Sequence, residues 1–112
     1  MMVLWLDDLR NPKDFNKDTT GWLWAKNSSE FMTILGIKRR HISEIHFDND
    51  LGEEVEGYTL FCQVEMLLMK SSMPNLKTIY VHSANPSARV KFNSAKNIFK
   101  EMYGIDIIMR NL

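Results

Sequence analysis

Met2-Val3-Leu4-Trp5-Leu6 runs straight into Asp7-Asp8. A continuous apolar run without polar alternation fits a parallel strand covered on both faces. The same arrangement recurs twice. Ile45-His46-Phe47 runs into Asp48-Asn49-Asp50, and Thr78-Ile79-Tyr80-Val81 runs into His82-Ser83-Ala84-Asn85. Three strand-like segments therefore each deliver polar groups at their C-terminal end. In an open α/β sheet that edge is where ligands bind. The pattern predicts one crevice lined by two acidic pairs and a His-Ser-Asn group.

The rest of the chain alternates in the same way. Asn11-Pro12 breaks the chain after the first strand, and Lys13 to Gly21 reads as a polar loop. Trp22 to Ala25 is a short second strand. Asn27-Ser28-Ser29-Glu30 has the form of a capping box, which predicts a helix from about Ser28 to Leu35, ended by Gly36. The third strand is expected over Ile45 to Asp48, followed by an acidic, glycine-containing loop. Gly57 to Lys70 carries Tyr58, Phe61, Val64, Leu67 and Leu68 at the spacing of a helix face. After the turn at Met73-Pro74-Asn75, Leu76 to Val81 is the fourth strand. Asn85-Pro86 is an N-cap with proline at the first helical position, opening a helix expected to reach Tyr103. Gly104 fits the residue after a helix end, and Ile105 to Met109 closes the series as a fifth strand. Such alternation predicts an α/β fold, a parallel sheet between helix layers, with right-handed crossovers placing helices on both faces.

Composition bounds the reading. A chain of 112 residues fits one domain, residues 1–112, with a core that needs no staples. Its 14 basic and 14 acidic side chains cancel, which argues against a protein that coats nucleic acid by bulk charge. A small site for one nucleotide or one phosphate end stays open. The lone Cys62 excludes a disulfide framework, and its apolar helical surroundings predict a buried structural thiol. Only Met1 to Leu6 are apolar before Asp7, too few for a signal peptide or a membrane span, so the expectation is a cytoplasmic protein. The eight methionines are expected to fill core gaps. Trp22 and Trp24 are expected to be core rather than a stacking platform.

The strand ends carry the chemistry. Asp7, Asp8, Asp48 and Asp50 are hard oxygen ligands. If the first and third strands are neighbours, these carboxylates converge and need a counter-charge. Mg²⁺ or Mn²⁺ is the natural cofactor, held by carboxylates, water and a phosphate oxygen. For Asp50 a ligand role and a role in the turn at Asp-Leu-Gly stand side by side. His41 and His46 read as structural. His82, where a strand ends, is placed to act as general acid or base near neutral pH. Ser83 is placed to hold a phosphate oxygen. Asn85 opens a helix whose amides favour an anion. Arg10 and Arg89 are candidates for a bidentate phosphate clamp, with a solvated surface as the competing reading. The Lys38-Arg39-Arg40 run reads as solvated surface.

The order of elements and the acid positions resemble the receiver domain of response regulators. There an acidic pair follows the first strand, a phospho-accepting Asp the third, and a Ser or Thr the fourth; here these positions are Asp7 with Asp8, Asp48, and Ser83. Receivers also place a Lys at the end of the fifth strand, where this chain has Met109-Arg110. A variant, the cyclic-phosphate processing receiver domain, is more similar. Its motifs resemble Leu6-Asp7-Asp8-Leu9-Arg10-Asn11-Pro12, Asp48-Asn49-Asp50-Leu51-Gly52, Gly57-Tyr58 and His82-Ser83-Ala84-Asn85-Pro86, in order and register. The resemblance implies a flavodoxin-like three-layer sandwich with a five-stranded parallel sheet in the order 2-1-3-4-5. It also implies processing of a cyclic phosphate. The expected function is a metal-dependent phosphoesterase acting on a 2′,3′-cyclic phosphate RNA end or a cyclic nucleotide. In that reading Asp7, Asp8, Asp48 and Asp50 hold metal, His82, Ser83 and Asp48 carry catalysis, and Arg10, Asn85 and Arg89 bind substrate. The alternative is a receiver-like module that senses phosphate or contacts a protein partner without turnover or phosphorelay.

Overall fold

A computed structural model describes residues 1–53 and 56–110. Five strands, β1 (Met2–Leu6), β2 (Trp22–Ala25), β3 (Ile42–Phe47), β4 (Thr78–Val81) and β5 (Asp106–Met109), form one sheet in the order β2-β1-β3-β4-β5, every pair parallel. Four helices join them: α1 (Ser28–Lys38), α2 (Gly57–Met69), α3 (Pro86–Ser94) and α4 (Lys96–Tyr103). The chain steps one way from β1 to β2, then back past β1 to β3, β4 and β5. Right-handed crossovers must then put the β1–β2 connection on one face and the other three on the opposite face.

The helical face holds the apolar core. Leu4 and Leu6, Ile45 and Phe47, Ile79 and Val81, and Ile107 point there, against Phe31 and Leu35 of α1, Phe61 and Val64 of α2, Phe92 of α3 and Phe99 of α4. Phe47 touches Phe31, Phe61 and Phe92, which ties three helices to the central strand.

The second face departs from expectation. Among the described residues it carries no α-helix, because the β1–β2 connection holds only a 3-10 turn at Pro12–Asp14. What covers the sheet is Phe15, which packs on Trp5, Trp22, His46, Tyr80 and His82. The third layer is thus a loop closing over a bed of aromatic and imidazole rings.

Local expectations hold where side-chain chemistry decides. Asn27 accepts from the Glu30 amide (2.9 Å) at the start of α1, while Glu30 reaches back to the Lys26 amide (2.8 Å). Asn85 accepts from the Ala88 amide (3.1 Å) at the start of α3. Gly104 ends α4 in the left-handed region, at φ 66°. They fail where glycine and length were read too literally. Gly36 does not end α1, which runs on to Lys38. The helix expected from Pro86 to Tyr103 breaks at Ala95 into α3 and α4. The third strand starts at Ile42, earlier than its polar Ser43 and Glu44 suggested. Cys62 is half-buried, and of the methionines only Met73 is buried.

Gly57 starts α2 hard against β3. A Cβ there would collide with the Asp48 carbonyl oxygen and lie 2.9 Å from Asn49 Cα, both backbone atoms that cannot swing aside. Gly57→Ala is expected to destabilise the protein by about 1–3 kcal/mol or more, since overpacking forces the backbone to shift. A urea titration read by far-ultraviolet circular dichroism checks this; an unchanged midpoint would mean the close approach is not needed.

Candidate functional site

Register places the site. Leu6 pairs with Phe47 and Phe47 with Val81, so β1, β3 and β4 end level. The ladder continues one step further, with the Asp48 amide donating to Leu6 O (2.9 Å) and the His82 amide to Phe47 O (2.8 Å). Asp7, Asp48 and His82 therefore leave the sheet side by side. Above them opens a pocket of about 360 Å³, lined by Asp7, Asp8, Leu9, Arg10, Asp48, Asp50, Gly52, Ser83, Ala84 and Asn85. A larger hollow of about 520 Å³ follows the β5 edge between Lys96 and Met109, away from these groups.

Asp7, Asp8 and Asp48 each offer a carboxylate oxygen, and all three oxygens lie within 4.8 Å of one another. Asp7 is almost fully buried. Its Oδ1 accepts from the Leu9 and Arg10 amides (3.0 and 2.9 Å), whereas Oδ2 is buried without a hydrogen-bond partner. Burial pushes the Asp48 carboxyl up to about 7, and the neighbouring Asp7 charge adds to the rise. An orphaned oxygen beside mutually repelling carboxylates is the donor set that a small hard cation fits. Asp50 lines the pocket but stands outside this group. It is exposed, and its Oδ1 accepts from the Gly52 amide (3.3 Å), the turn role that its sequence context offered.

The loop is built to close on the acids. Gly52 adopts φ 67°, and a Cβ there would sit 3.2 Å from Asp8 Oδ2. Asn49, which sequence reasoning left without a role, is buried. Its Oδ1 accepts from the Tyr58 amide (3.0 Å) and its carbonyl from the Gly57 amide (3.0 Å), so it caps α2 from the strand end. The Asp-x-Asp and Gly-Tyr motifs thus lock together. Two tryptophans also act here. Trp24 Nε1 donates to Asp7 O (2.8 Å) and Trp5 Nε1 to Arg10 O (2.9 Å), pinning the acidic loop at both ends. Trp24 is half-buried, and its indole N–H serves the site as well as the fold.

Ser83 and Asn85 reach the pocket. Ser83 is buried with its Oγ accepting from the Asn85 amide (3.2 Å), and Asn85 both caps α3 and lines the cavity. Arg10 lies alongside, Nε 3.8 Å from Asp7 Oδ2. Two further candidates, Arg89 and His82, are not among the residues that line this pocket. Arg89 braces the loop, with Nη1 donating to Ser83 O (3.0 Å) and Arg110 O (3.5 Å). His82 does not line the pocket. Strand alternation sends Val81 to the helical face and His82 to the other. There the imidazole is 2% exposed, and burial pushes it down to about 3, with His46 and Arg10 adding to the fall. That direction favours the neutral imidazole. Arg110, in place of the receiver Lys, sits 5.4 Å over the Tyr80 ring, on the aromatic face.

Fold and site together define a receiver-like domain whose acidic strand ends share one pocket. The sequence model of the family described as Cyclic-phosphate processing Receiver domain matches residues 2–97, and the chain belongs to that family. No curated protein and no solved structure gives a significant match. No helix among the described residues is long and apolar enough to cross a membrane.

The raised Asp48 carboxyl carries a pH signature. A folded value near 7 lies above the ordinary 3.8, so the folded protein holds this proton more tightly. The resulting stabilisation is complete below 3.8 and is lost as pH rises through 7. Asp48→Asn, which never ionises, is expected to be more stable than the parent by about 1–2 kcal/mol at pH 8 without metal, with the gap closing toward pH 4. His46 and His82, held low by burial, titrate alike in both proteins and cancel in the difference. Paired urea titrations across pH check this, and equal stabilities at pH 8 would contradict the raised Asp48 carboxyl.

Proposed function

We propose that this domain is a metal-dependent phosphoesterase that opens a cyclic phosphate, either a 2′,3′-cyclic phosphate RNA end or a cyclic nucleotide. Membership of the cyclic-phosphate processing family supports the substrate class. The observation that carries the reading is the Asp7, Asp8 and Asp48 group with its unpartnered buried oxygen, set in one pocket with Arg10 and Ser83.

Asp7, Asp8 and Asp48 would hold Mg²⁺ or Mn²⁺. A divalent ion there supplies positive charge at a phosphoryl oxygen and makes a bound water more acidic. The Arg10 guanidinium faces the same space and neutralises a second phosphate oxygen. Ser83 Oγ offers a hydroxyl donor, and Asn85 at the start of α3 adds the helix's unpaired amides on the anion's side. Exposed Leu9 at the rim gives an apolar contact for the organic part of the ligand. In the overall reaction, water oxygen bonds to phosphorus and the P–O bond to one ribose oxygen breaks. That oxygen leaves as a hydroxyl carrying one of the water's protons. Neutral His82, outside the pocket, is not the group that protonates it.

A second reading, a phosphate-sensing module without turnover, is favoured by one observation: no His or Lys is among the residues lining the pocket. Calorimetric titration of Mg²⁺ and Mn²⁺ into the parent and Asp48→Asn, followed by chromatography of 2′,3′-cyclic AMP incubated with metal-loaded protein, separates the two. The phosphoesterase is expected to bind metal saturably, to lose that binding in Asp48→Asn, and to release a phosphomonoester. Metal and nucleotide binding without ring opening would establish the sensing module instead.

A further inference from the structure

Three titratable side chains on the aromatic face form a chain that the phosphoesterase reading does not use. Glu44 Oε2 lies 2.7 Å from His46 Nε2, and His46 Nδ1 lies 2.7 Å from His82 Nε2. The two imidazole planes are parallel to within 3° and their centroids stand 4.9 Å apart, nearly the full reach of two rings meeting edge to edge across 2.7 Å, so the second contact lies along the ring planes, as a hydrogen bond requires. It is not a vacant zinc site. Two nitrogens on one tetrahedral zinc, each at about 2.0–2.1 Å, stand roughly 3.3 Å apart, and Glu44 binds the other nitrogen of His46. Both histidines are buried, walled by Trp5, Phe15 and Tyr80, while Glu44 keeps 27% of its side chain in contact with solvent.

Donor arithmetic then sets the tautomers. An ionised Glu44 only accepts, so His46 carries its proton on Nε2. In a singly protonated His46 the Nδ1 is then bare and must accept, so His82 carries its proton on Nε2. The far end of the chain, His82 Nδ1, is left as an acceptor, and it is buried with no hydrogen-bond partner. Only one other described side-chain atom is in that condition, Asp7 Oδ2. Both belong to residues that Arg10 approaches, with Nη1 3.5 Å from His82 O and Nε 3.8 Å from Asp7 Oδ2. A guanidinium has five N–H groups to give, and an imidazole with a bare nitrogen attracts it where an imidazolium would repel it.

We propose that Glu44 and His46 are positioning residues acting through His82: the chain holds His82 as the neutral Nε2–H tautomer, and its bare Nδ1, unpartnered in this structure, becomes the acceptor for the Arg10 guanidinium, which already reaches the His82 carbonyl. The consequence for anion binding rests on the reading of Arg10 as the phosphate ligand. The device gives the strand-end histidine a task without placing it in the pocket.

Long-range proton–nitrogen spectra of the free, metal-free protein decide the matter first. His46 and His82 are each expected to show a protonated Nε2 and a bare Nδ1. Glu44→Gln, whose amide can donate as well as accept, is expected to mix the tautomers and to shift the Arg10 Nε–H resonance while the fold is kept. A protonated His82 Nδ1 in the parent, or an Arg10 resonance indifferent to Glu44→Gln, overturns the proposal. With 2′,3′-cyclic AMP and saturating Mg²⁺, Glu44→Gln is expected to weaken nucleotide binding about 3- to 10-fold, with Mg²⁺ affinity unchanged. Equal nucleotide affinities would also overturn it. A parent that binds no nucleotide counts against the phosphoesterase reading, and the spectra then judge the chain alone.

Discussion

Three carboxylates held within 4.8 Å of one another at the ends of adjacent strands set the terms for everything around them. They meet because β1 and β3 are parallel neighbours in register, an arrangement that also fixes Asp7 and Asp48 at one height. Burial raises the Asp48 carboxyl, and the Asp7 charge beside it adds to the rise. The surrounding structure reads as the means of keeping these charges in place. Backbone amides of Leu9 and Arg10 hold Asp7, indole N–H groups hold the loop, Gly52 lets the chain return past Asp8, and Gly57 lets α2 start against the Asp48 carbonyl. Each of these contacts leaves the pocket side of the carboxylates open.

The asymmetry of the sheet follows from the same topology. With β1 between β2 and β3, three helical crossovers share one face and the short β1–β2 connection has the other. The helical face is uniformly apolar, and its rings key three helices onto Phe47. The other face has a loop for a roof, and it accommodates Trp5, Trp22, Tyr80 and two imidazoles beneath Phe15. Imidazoles persist in so dry a layer only as neutral, mutually bonded groups. The loop that roofs them is also the one that carries Arg10, so the two sides of the strand ends are mechanically joined through one short segment.

Much of this was legible in the residues. Asp7, Asp8, Asp48, Ser83 and Asn85 could be assigned to one edge because each follows an apolar run directly, and strand ends are visible in sequence. The Asn27 and Asn85 caps were legible because a side-chain oxygen before a helix has little else to do. What stayed hidden depends on side-chain direction and on partners distant in sequence. That His82 turns away from Ser83 is a matter of alternation counted from Val81. That His46 bonds His82 requires knowing that β3 and β4 are neighbours, since the two lie 36 residues apart. Asn49 and Gly57 owe their roles to a close approach of helix and strand that no local pattern announces. Trp24 read as core because its apolar ring dominates any composition argument, although its N–H was the informative part. The missing helix on the second face had one sequence sign, the polar stretch after Pro12, which was read correctly as a loop without its consequence for the layering.

Receiver-like architecture and cyclic-phosphate chemistry fit together through charge. A phosphodiester approaching Asp7, Asp8 and Asp48 meets like charge, so a site of this kind needs cations on both sides of the phosphate. The carboxylates are suited to hold one as a metal. Arg10 supplies the other from the chain itself, and it does so from the β1–β2 loop, where no helix intervenes between the acids and the second face. The residue that occupies the receiver Lys position, Arg110, is engaged with Tyr80 on the far side of β4. In this chain a cation beside the acids, Arg10, stands in the turn after β1, with Nε 3.8 Å from Asp7 Oδ2.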